Sequence, residues 1–262
     1  MSYRIFLCLF VSLYLGANYV SPARAGEMFS TETTQSEDAV FAFFRVANVP
    51  PDYDEWIKGS HTYMSLPLSE QNNYLLQETL RLGHGYAEYN PERDLLKVDV
   101  PVVAKLIPPK DNKKARFIFE FIHNDNKSFT PTFAYPYGPH TINMVINKLA
   151  LFSNFSLTEK QYLSIKERLS RYEEGEEMDV LLKLRIKIVQ ADYNSPISMG
   201  DSGLMWLMVG EIGYLSCVQD SFFGTDKIQL WDYLAPWYEE QYNEENRSEE
   251  EKYPHPYDLY KD

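Results

Sequence analysis

The sequence lacks the residues that several common site chemistries need. It has two cysteines and five histidines. No two histidines stand at the H-x-H or H-x-x-x-H spacing that metal-binding strands and helices use. Neither a Gly-x-Gly-x-x-Gly motif nor a Walker-type glycine loop is present, which removes the usual sequence signals of a nucleotide site. We therefore predict neither a metal nor a cofactor.

Positive charge is also scarce. The chain carries 25 Lys and Arg against 38 Asp and Glu, which gives a formal net charge of −13. Because an acidic protein repels phosphate backbones, we expect no nucleic acid among its partners. Two carboxylates could still converge for glycosidase catalysis, but carboxylates are so numerous here that their presence carries no information.

Long apolar runs are absent except at the amino terminus. Arg4 precedes an uncharged apolar run at residues 5–20, and Ser21–Ala25 offers the small residues that signal peptidase requires. This pattern predicts a secretory signal peptide, residues 1–25, cut after Ala25. The alternative is an uncleaved anchor, for which the run is short of the ~20 residues that span a bilayer. We predict a periplasmic or secreted protein with no membrane span after cleavage.

Cleavage would leave Cys217 as the single cysteine and, by removing Arg4 and Arg24, would take the formal charge from −13 to −15. One cysteine cannot close an internal disulfide. Within an apolar strand, a cysteine is more typical of a small core side chain than of a reactive thiol. A disulfide between two chains remains an alternative.

The clearest pattern that is present is a two-residue alternation at residues 180–188. Lys183, Arg185 and Lys187 share one face, and five aliphatic side chains share the other: Val180, Leu182, Leu184, Ile186 and Ile188. Since strand side chains alternate between faces, this predicts a half-buried strand. We interpret Asp179–Asp220 as a long β-hairpin that forms the centre of an antiparallel sheet.

The second arm of this hairpin is the apolar run Leu204–Val218. Consecutive apolar residues predict a strand covered on both faces over its first half. Glu211 in this run is predicted to lie opposite Arg185, as a cross-strand ion pair rather than as a catalytic acid.

The basic stripe Lys183, Arg185 and Lys187 admits three interpretations. It could bind an anionic glycan or a phosphate group, it could be a solvated strand face, or it could be covered by an acidic helix. The last two interpretations are the more ordinary for a charged strand face. We keep these three residues as weak candidates for binding.

Helices are predicted mainly in the amino-terminal part. One begins at Ser36 and ends before Pro50. Another runs from Ser69 to Gly83, with an apolar side made of Tyr74, Leu75, Leu76, Leu80 and Leu82. In this interpretation His84 follows the helix within Gly83-His84-Gly85, either as part of a C-terminal cap or as a functional histidine.

A further helix at residues 158–172 begins with a capping box of Thr158 and Gln161. Strands are predicted at Leu95–Ile107, at Arg116–Ile122 and at Ile228–Leu234. Pro101 predicts an edge position or a bulge in the first of them. The result is an α+β fold in one domain, residues 26–236, followed by an acidic tail, residues 237–262, that is poor in aliphatic residues and predicted to be disordered.

One short motif could carry chemistry. Gly200-Asp201-Ser202-Gly203 resembles the nucleophile turn of trypsin-like serine proteases, where a serine between glycines attacks the substrate. Only these four residues match, and none of the upstream histidines stands in the sequence context that those proteases have. Asp-Ser-Gly is also ordinary turn chemistry between strands.

An export signal without a coherent catalytic constellation predicts a non-catalytic binding or structural protein of the cell envelope. Its partner would be an envelope protein or a glycan. The alternative is a serine hydrolase that uses Ser202, with His84 as a second low-ranking catalytic candidate.

Overall fold

A large curved sheet is the centre of the fold, and most of the helices come from the amino-terminal part of the chain. The computed structural model describes residues 33–111, 113–121, 131–169, 175–200, 203–220 and 227–246. The helices are α1 (Thr33–Ala47), α2 (Tyr53–Lys58), α3 (His61–Ser65), α4 (Leu68–Glu88), α5 (Glu159–Arg168) and α6 (Glu239–Glu245). The strands are β1 (Leu96–Ile107), β2 (Arg116–Phe121), β3 (Thr132–Tyr137), β4 (His140–Ile146), β5 (Asn154–Ser156), β6 (Glu177–Ser198), β7 (Leu204–Asp220) and β8 (Lys227–Leu234).

The eight strands form one sheet in the order β3-β4-β7-β6-β1-β2-β5, and β8 pairs with β7 beside this path. This is an α+β fold, as predicted, with helices in the amino-terminal part and α5 in the predicted helix region. The sheet is mixed rather than antiparallel, because β4 runs parallel to β7. Strand periodicity shows which face is buried but not the direction of the neighbouring strand, so this parallel pair could not be predicted from the pattern.

The predicted hairpin is the centre of the sheet. β6 and β7 pair antiparallel, with Leu182 opposite Cys217 and Leu184 opposite Leu215. The alternation is confirmed, because the aliphatic residues from Val180 to Ile188 are buried and the three basic residues are only half-buried. The register predicted for Glu211 is wrong. A shift between Arg185 and Ile186 places Glu211 opposite Lys187 and leaves Tyr214 opposite Arg185.

The prediction that β7 is covered on both faces at least over its first half is wrong for that half. Leu207, in the first half, is 40% exposed, whereas residues 215–219 are all buried, including the polar Ser216 and Gln219. The second half is covered because β8 pairs with it and because the segment before α6 packs on it. A side chain at Gly213 would meet Trp237 and Tyr238 at 2.9 and 3.1 Å.

α1 is the centre of the helical layer. Six consecutive residues, 39–44, are buried, so the helix is covered on every side rather than along one stripe. Phe43 and Phe44 meet edge to face, and Phe44 lies 4.9 Å from Tyr137 of β3, measured between ring centroids. On its other side, Phe41 contacts Trp56 of α2 and Tyr86 of α4. Each such ring stabilises the fold by up to about 3 kcal/mol.

The opposite part of the sheet curls until its two margins touch. Trp231 of β8 lies 4.8 Å from Phe155 of β5 and 5.8 Å from Phe117 of β2, measured between ring centroids. At the end of β7, β8 lies on one side and β6 on the other, so β8 and β5 are the two margins of this part of the sheet. The right-handed twist of the sheet brings these margins together.

Pro101 lies in β1 just before the part of the strand that pairs with β2. β1 pairs with β6 along Leu96–Lys105, and β2 pairs with its other side from Val102 to Ile107. The predicted edge position is therefore wrong for this half of β1. Residue 122, which comes next in the register opposite Pro101, lies outside the described residues.

Of two predicted helix boundaries, one is confirmed and one is wrong. The capping box is confirmed: the Thr158 hydroxyl accepts a hydrogen bond from the Gln161 N–H, and the Gln161 side chain accepts one from the Thr158 N–H. The end predicted at Gly83 is wrong, because α4 continues to Glu88. Glycine lowers helix propensity without forbidding the helix, and neither Gly83 nor Gly85 adopts a positive φ here.

The acidic segment that was predicted to be disordered begins with α6. Tyr238 is buried at its start, and Tyr242 stacks on Tyr214 of β7 with ring centroids 4.9 Å apart. The prediction of disorder relied on the scarcity of aliphatic residues, but these tyrosines supply the apolar contacts instead. The remainder of the predicted tail, residues 247–262, lies outside the described residues, as does the predicted signal peptide. Across the described residues, no helix combines the length and apolar character needed to cross a membrane.

Candidate functional site

The outward side of α4 carries an uncharged seam, which we define by six residues. They recur at alternating spacings of four and three positions, the repeat with which helices pair in coiled coils. The seam residues are Ser69, Asn73, Leu76, Leu80, Gly83 and Ala87. Leu82 is buried on the opposite side of the helix, against the rest of the protein. The seam therefore points away from the core.

Two leucines in the seam are unusually open to solvent. The exposed fraction is 62% for Leu76 and 67% for Leu80. Leu68, which begins the helix just before the seam residue Ser69, is 84% exposed. The sequence prediction placed Leu76 and Leu80 on the buried side of the helix, which is wrong. α4 has apolar residues on two sides, and Leu75, Leu82 and Tyr86 are the ones that turn toward the core.

The charged residues of α4 lie off the seam. Arg81 binds Glu37 of α1 and Glu78 of its own helix, with nitrogen–oxygen distances of 2.7 and 2.8 Å. These hydrogen bonds raise the pKa of Arg81 above its usual value. The ion pairs attach α4 to α1 and keep charge away from the outward surface.

The carboxyl-terminal part of the seam is shallow. A side chain added at Gly83 would meet no atom within 4 Å, whereas one at Gly85 would lie 3.0 Å from Phe41. The two glycines therefore differ: Gly85 permits α4 to approach α1, and Gly83 leaves a gap on the surface. With Ala87 one turn later, this gap continues the seam as a groove without large side chains.

His84 lies at the margin of the seam rather than at a helix end. Its Nδ1 is 3.2 Å from Glu88 Oε2, and both side chains are more than 70% exposed. An exposed pair of this kind stabilises a helix by less than about 1 kcal/mol. The described residues show no serine or cysteine beside His84, so the structure gives it no catalytic neighbour among them.

Two residues of the basic stripe on β6 have acidic or aromatic neighbours. Arg185 Nη1 lies 3.6 Å from Glu245 of α6, an acidic helix. Lys187 binds Glu92, which precedes β1, and stands 5.7 Å from the centroid of the Trp237 ring, which precedes α6. Contact with an acidic helix, one of the three interpretations, is therefore seen at Arg185. Binding of an anionic glycan or phosphate at these residues stays a prediction.

Ser202 and Asp201 lie outside the described residues, but their neighbours meet a histidine. His140 Nδ1 accepts a hydrogen bond from the Leu204 N–H at 3.0 Å, and its Nε2 donates one to Glu55 Oε1 at 2.9 Å. Gly203 adopts a φ of +83°, and a side chain there would come within 2.7 Å of His140 Nδ1. Three distant segments, α2, β4 and the hairpin turn, are joined at this ring.

The hydrogen bonds of His140 leave no lone pair on the ring for another proton donor. Because Nδ1 is the acceptor, the neutral ring carries its hydrogen on Nε2, the nitrogen that faces Glu55. In a serine hydrolase the basic nitrogen would instead be open to the nucleophile. The sequence contained no local signal of this contact, since His140 and Leu204 are 64 positions apart.

Two further kinds of site are a reactive thiol and a metal centre. Cys217 is buried, as predicted, and burial raises the pKa of its thiol; a disulfide between chains would require β7 to open. Within the described ranges, no three side chains of His, Cys, Asp or Glu are grouped as metal ligands would be.

Comparison of the chain with protein-family models, curated proteins and solved structures finds no match.

Proposed function

We propose that this protein is exported to the cell envelope and acts there as a non-catalytic binding or structural protein, with the seam of α4 as its contact surface. The observation that supports this proposal is the exposure of Leu76 and Leu80 on a face without charge. Apolar side chains that gather on one exposed surface are typical of protein–protein contacts.

The energetics of the seam favour association over solvation. Burying one leucine contributes about 1.5–3 kcal/mol, and no charged group of the seam would have to lose its water. Elsewhere the surface of this chain is acidic, with a net charge of −13. A surface without carboxylates is thus the place where another acidic protein can approach with the least repulsion.

Site-specific photo-crosslinking tests the proposal. A photoreactive residue at Leu76 should form a covalent adduct of defined mass in cells that export the protein. The same residue at Leu163, an exposed leucine on α5 (54% exposed), is the matched control and should form none. Equal yields at the two positions, or no adduct at Leu76, would refute the role of the seam.

Export is part of the proposal and is tested separately. The predicted cleavage after Ala25 requires that the extracytoplasmic fraction contain a chain with Gly26 at its amino terminus, which mass spectrometry of the intact protein would detect. Recovery of the full-length chain from the cytosol would contradict it.

A second candidate is a serine hydrolase that uses Ser202. One observation favours it: the residues that follow Ser202 contact His140, which in turn binds a carboxylate, Glu55. We rank it second because the hydrogen bond from Leu204 occupies the nitrogen that a general base needs. A fluorophosphonate probe should label the wild-type protein and not Ser202→Ala if this candidate is correct. Absence of labelling in a folded sample would remove it.

A further inference from the structure

We propose that the seam of α4 binds the seam of a second copy of this chain, with the two helices antiparallel. This inference rests on the proposed function, because it names the partner of the same surface. Its elements are the spacing of the seam residues, their exposure and the difference in side-chain size between the two ends of the seam.

The two ends of the seam complement each other in shape. Its first half carries the large side chains Leu76 and Leu80, and its second half carries Gly83 and Ala87. An antiparallel pair places Leu76 against Ala87 of the second copy and Leu80 against Gly83 of the second copy. The space left open at Gly83 would then receive a leucine side chain, as a hole receives a knob in a coiled coil.

A parallel pair would leave this complementarity unused. Gly83 would face Gly83 of the second copy, and the resulting gap would forfeit the contacts that stabilise a packed helix interface. The antiparallel arrangement also aligns the helix dipoles favourably. Small residues in the second half and large ones in the first therefore specify the orientation.

Charge is consistent with self-association at this surface. Asn72, Gln77 and Thr79, which flank the seam, are neutral, and the exposed Glu88 stands with His84 at its carboxyl-terminal margin. In an antiparallel pair the two copies of Glu88 lie at opposite ends of the contact, so they do not oppose each other. Since each exported copy, without Arg4 and Arg24, has a formal net charge of −15, the remaining repulsion acts over a distance and is screened by salt. Association should therefore strengthen as ionic strength rises, the opposite of a contact held by ion pairs.

One pair of helices buries a small interface, so we expect a weak, concentration-dependent dimer. Sedimentation equilibrium of the exported chain over about 1 µM to 1 mM should show the dimer. Leu80→Lys should weaken the association at least about 100-fold, because the substitution occurs twice in the interface. Leu163→Lys makes the same chemical change at another exposed helical leucine and should leave the association unchanged.

Gly83→Ala separates the interface from the stability of the helix. In the monomer the added methyl group has free space, and alanine favours the helix, so the Tm should rise by about 2–4 °C. In the antiparallel dimer the same methyl group fills the space for Leu80, so association should weaken about tenfold or more. Stronger association of Gly83→Ala would indicate the parallel pair and overturn the proposed orientation.

The remaining outcomes are also decisive. A wild-type protein that stays monomeric at the highest concentration, or a dimer that Leu80→Lys does not affect, overturns the inference. The proposed function fails on different evidence, which is the absence of any adduct at Leu76. An adduct with a different protein would support the contact surface and refute the second copy as its partner, whereas an adduct of twice the chain mass supports both.

Discussion

The two halves of the sheet bury their apolar faces in different ways. In the helix-covered half, formed by β3, β4, the first part of β7 and the adjoining part of β6, α1 lies mainly against β6 and β3, and its outer side contacts α2 and α4. In the curled half, formed by β2, β5, β8 and the end of β7, aromatic rings from opposite margins meet directly. A sheet that closes on itself needs little cover. A sheet that relies on helices needs a second layer, and the outer side of that layer, on α4, is where the exposed leucines are found.

The largest expected difference between the halves is in core packing. Phe44→Ala in the helix-covered half should lower the free energy of unfolding by about 3–5 kcal/mol, because Phe44 is only 1% exposed and contacts rings of α1, β3 and β6. Trp231→Ala in the curled half should cost less, because Trp231 is half-buried and its indole N–H is buried without a partner.

Urea unfolding monitored by circular dichroism measures both variants. Trp231→Phe is the matched control: it keeps a ring beside Phe117 but removes the unpaired N–H, whose burial costs about 1–3 kcal/mol. It should therefore be less destabilising than Trp231→Ala. A larger cost for Trp231→Ala than for Phe44→Ala would show that the curled half, not the helix-covered half, carries most of the packing energy.

Two glycines with the same backbone conformation sharpen the comparison. Gly203, beside His140 in the helix-covered half, and Gly175, at the start of β6 in the curled half, both have a φ of +83°. Alanine at Gly175 meets no atom within 4 Å, so only the left-handed conformation should cost free energy, about 1–2 kcal/mol. A methyl group at Gly203 would also come within 2.4 Å of the Pro139 carbonyl oxygen and 2.7 Å of His140 Nδ1, so alanine there should cost more.

Thermal unfolding of the two glycine variants gives the difference, which reports how rigidly Pro139 and His140 hold the hairpin turn. Equal Tm values for Gly203→Ala and Gly175→Ala would mean that the backbone of Pro139 and the ring of His140 both move aside freely. The junction of α2, β4 and the turn would then be much weaker than its two hydrogen bonds imply.

The smallest expected effect concerns Asp38 of α1. Burial, with the nearby carboxylates of Asp94 and Glu37, raises the pKa of Asp38 above its usual value. Its ionised form is therefore less favourable in the folded protein than in the unfolded chain. As the pH rises, Asp38 ionises first in the unfolded chain and only at a higher pH in the folded protein. The free energy of unfolding therefore falls between these two pKa values, and the loss is fully present at neutral pH.

Asp38→Asn should therefore stabilise the protein at pH 7, by less than about 1 kcal/mol because the carboxyl is partly exposed to solvent. The gain should vanish below about pH 3, where Asp38 is protonated in both states. Unfolding midpoints measured at the two pH values test this. A gain that persists in acid would have to come from something other than the charge of Asp38.

Sequence patterns predicted the elements whose signal is local. The alternation at residues 180–188 identified the central strand and its buried face, and the pair Thr158 and Gln161 located the start of α5. In both cases the deciding interaction lies within a few positions of the chain.

The errors arose where tertiary contacts outweighed the local signal. Gly83 was taken for a helix end, but contacts of α4 with α1 carry the helix to Glu88. The seam was present in the sequence as spacing, yet Leu76 and Leu80 were assigned to the core, because periodicity does not indicate which of two apolar sides a neighbouring helix will cover. The contact of His140 with the hairpin turn depends on the order of the strands, which no short motif encodes.

The position of Cys217 makes the opening of the sheet measurable without any introduced label. It is the one cysteine outside the predicted leader. It lies buried in β7, next to the paired strand β8 and the aromatic rings of the curled half. A thiol reagent added to the folded, exported protein can react only in molecules whose central strand has become exposed. The rate of thiol modification therefore measures how often the central strand becomes exposed, and it is measured at a single sulfur atom that the chain already contains.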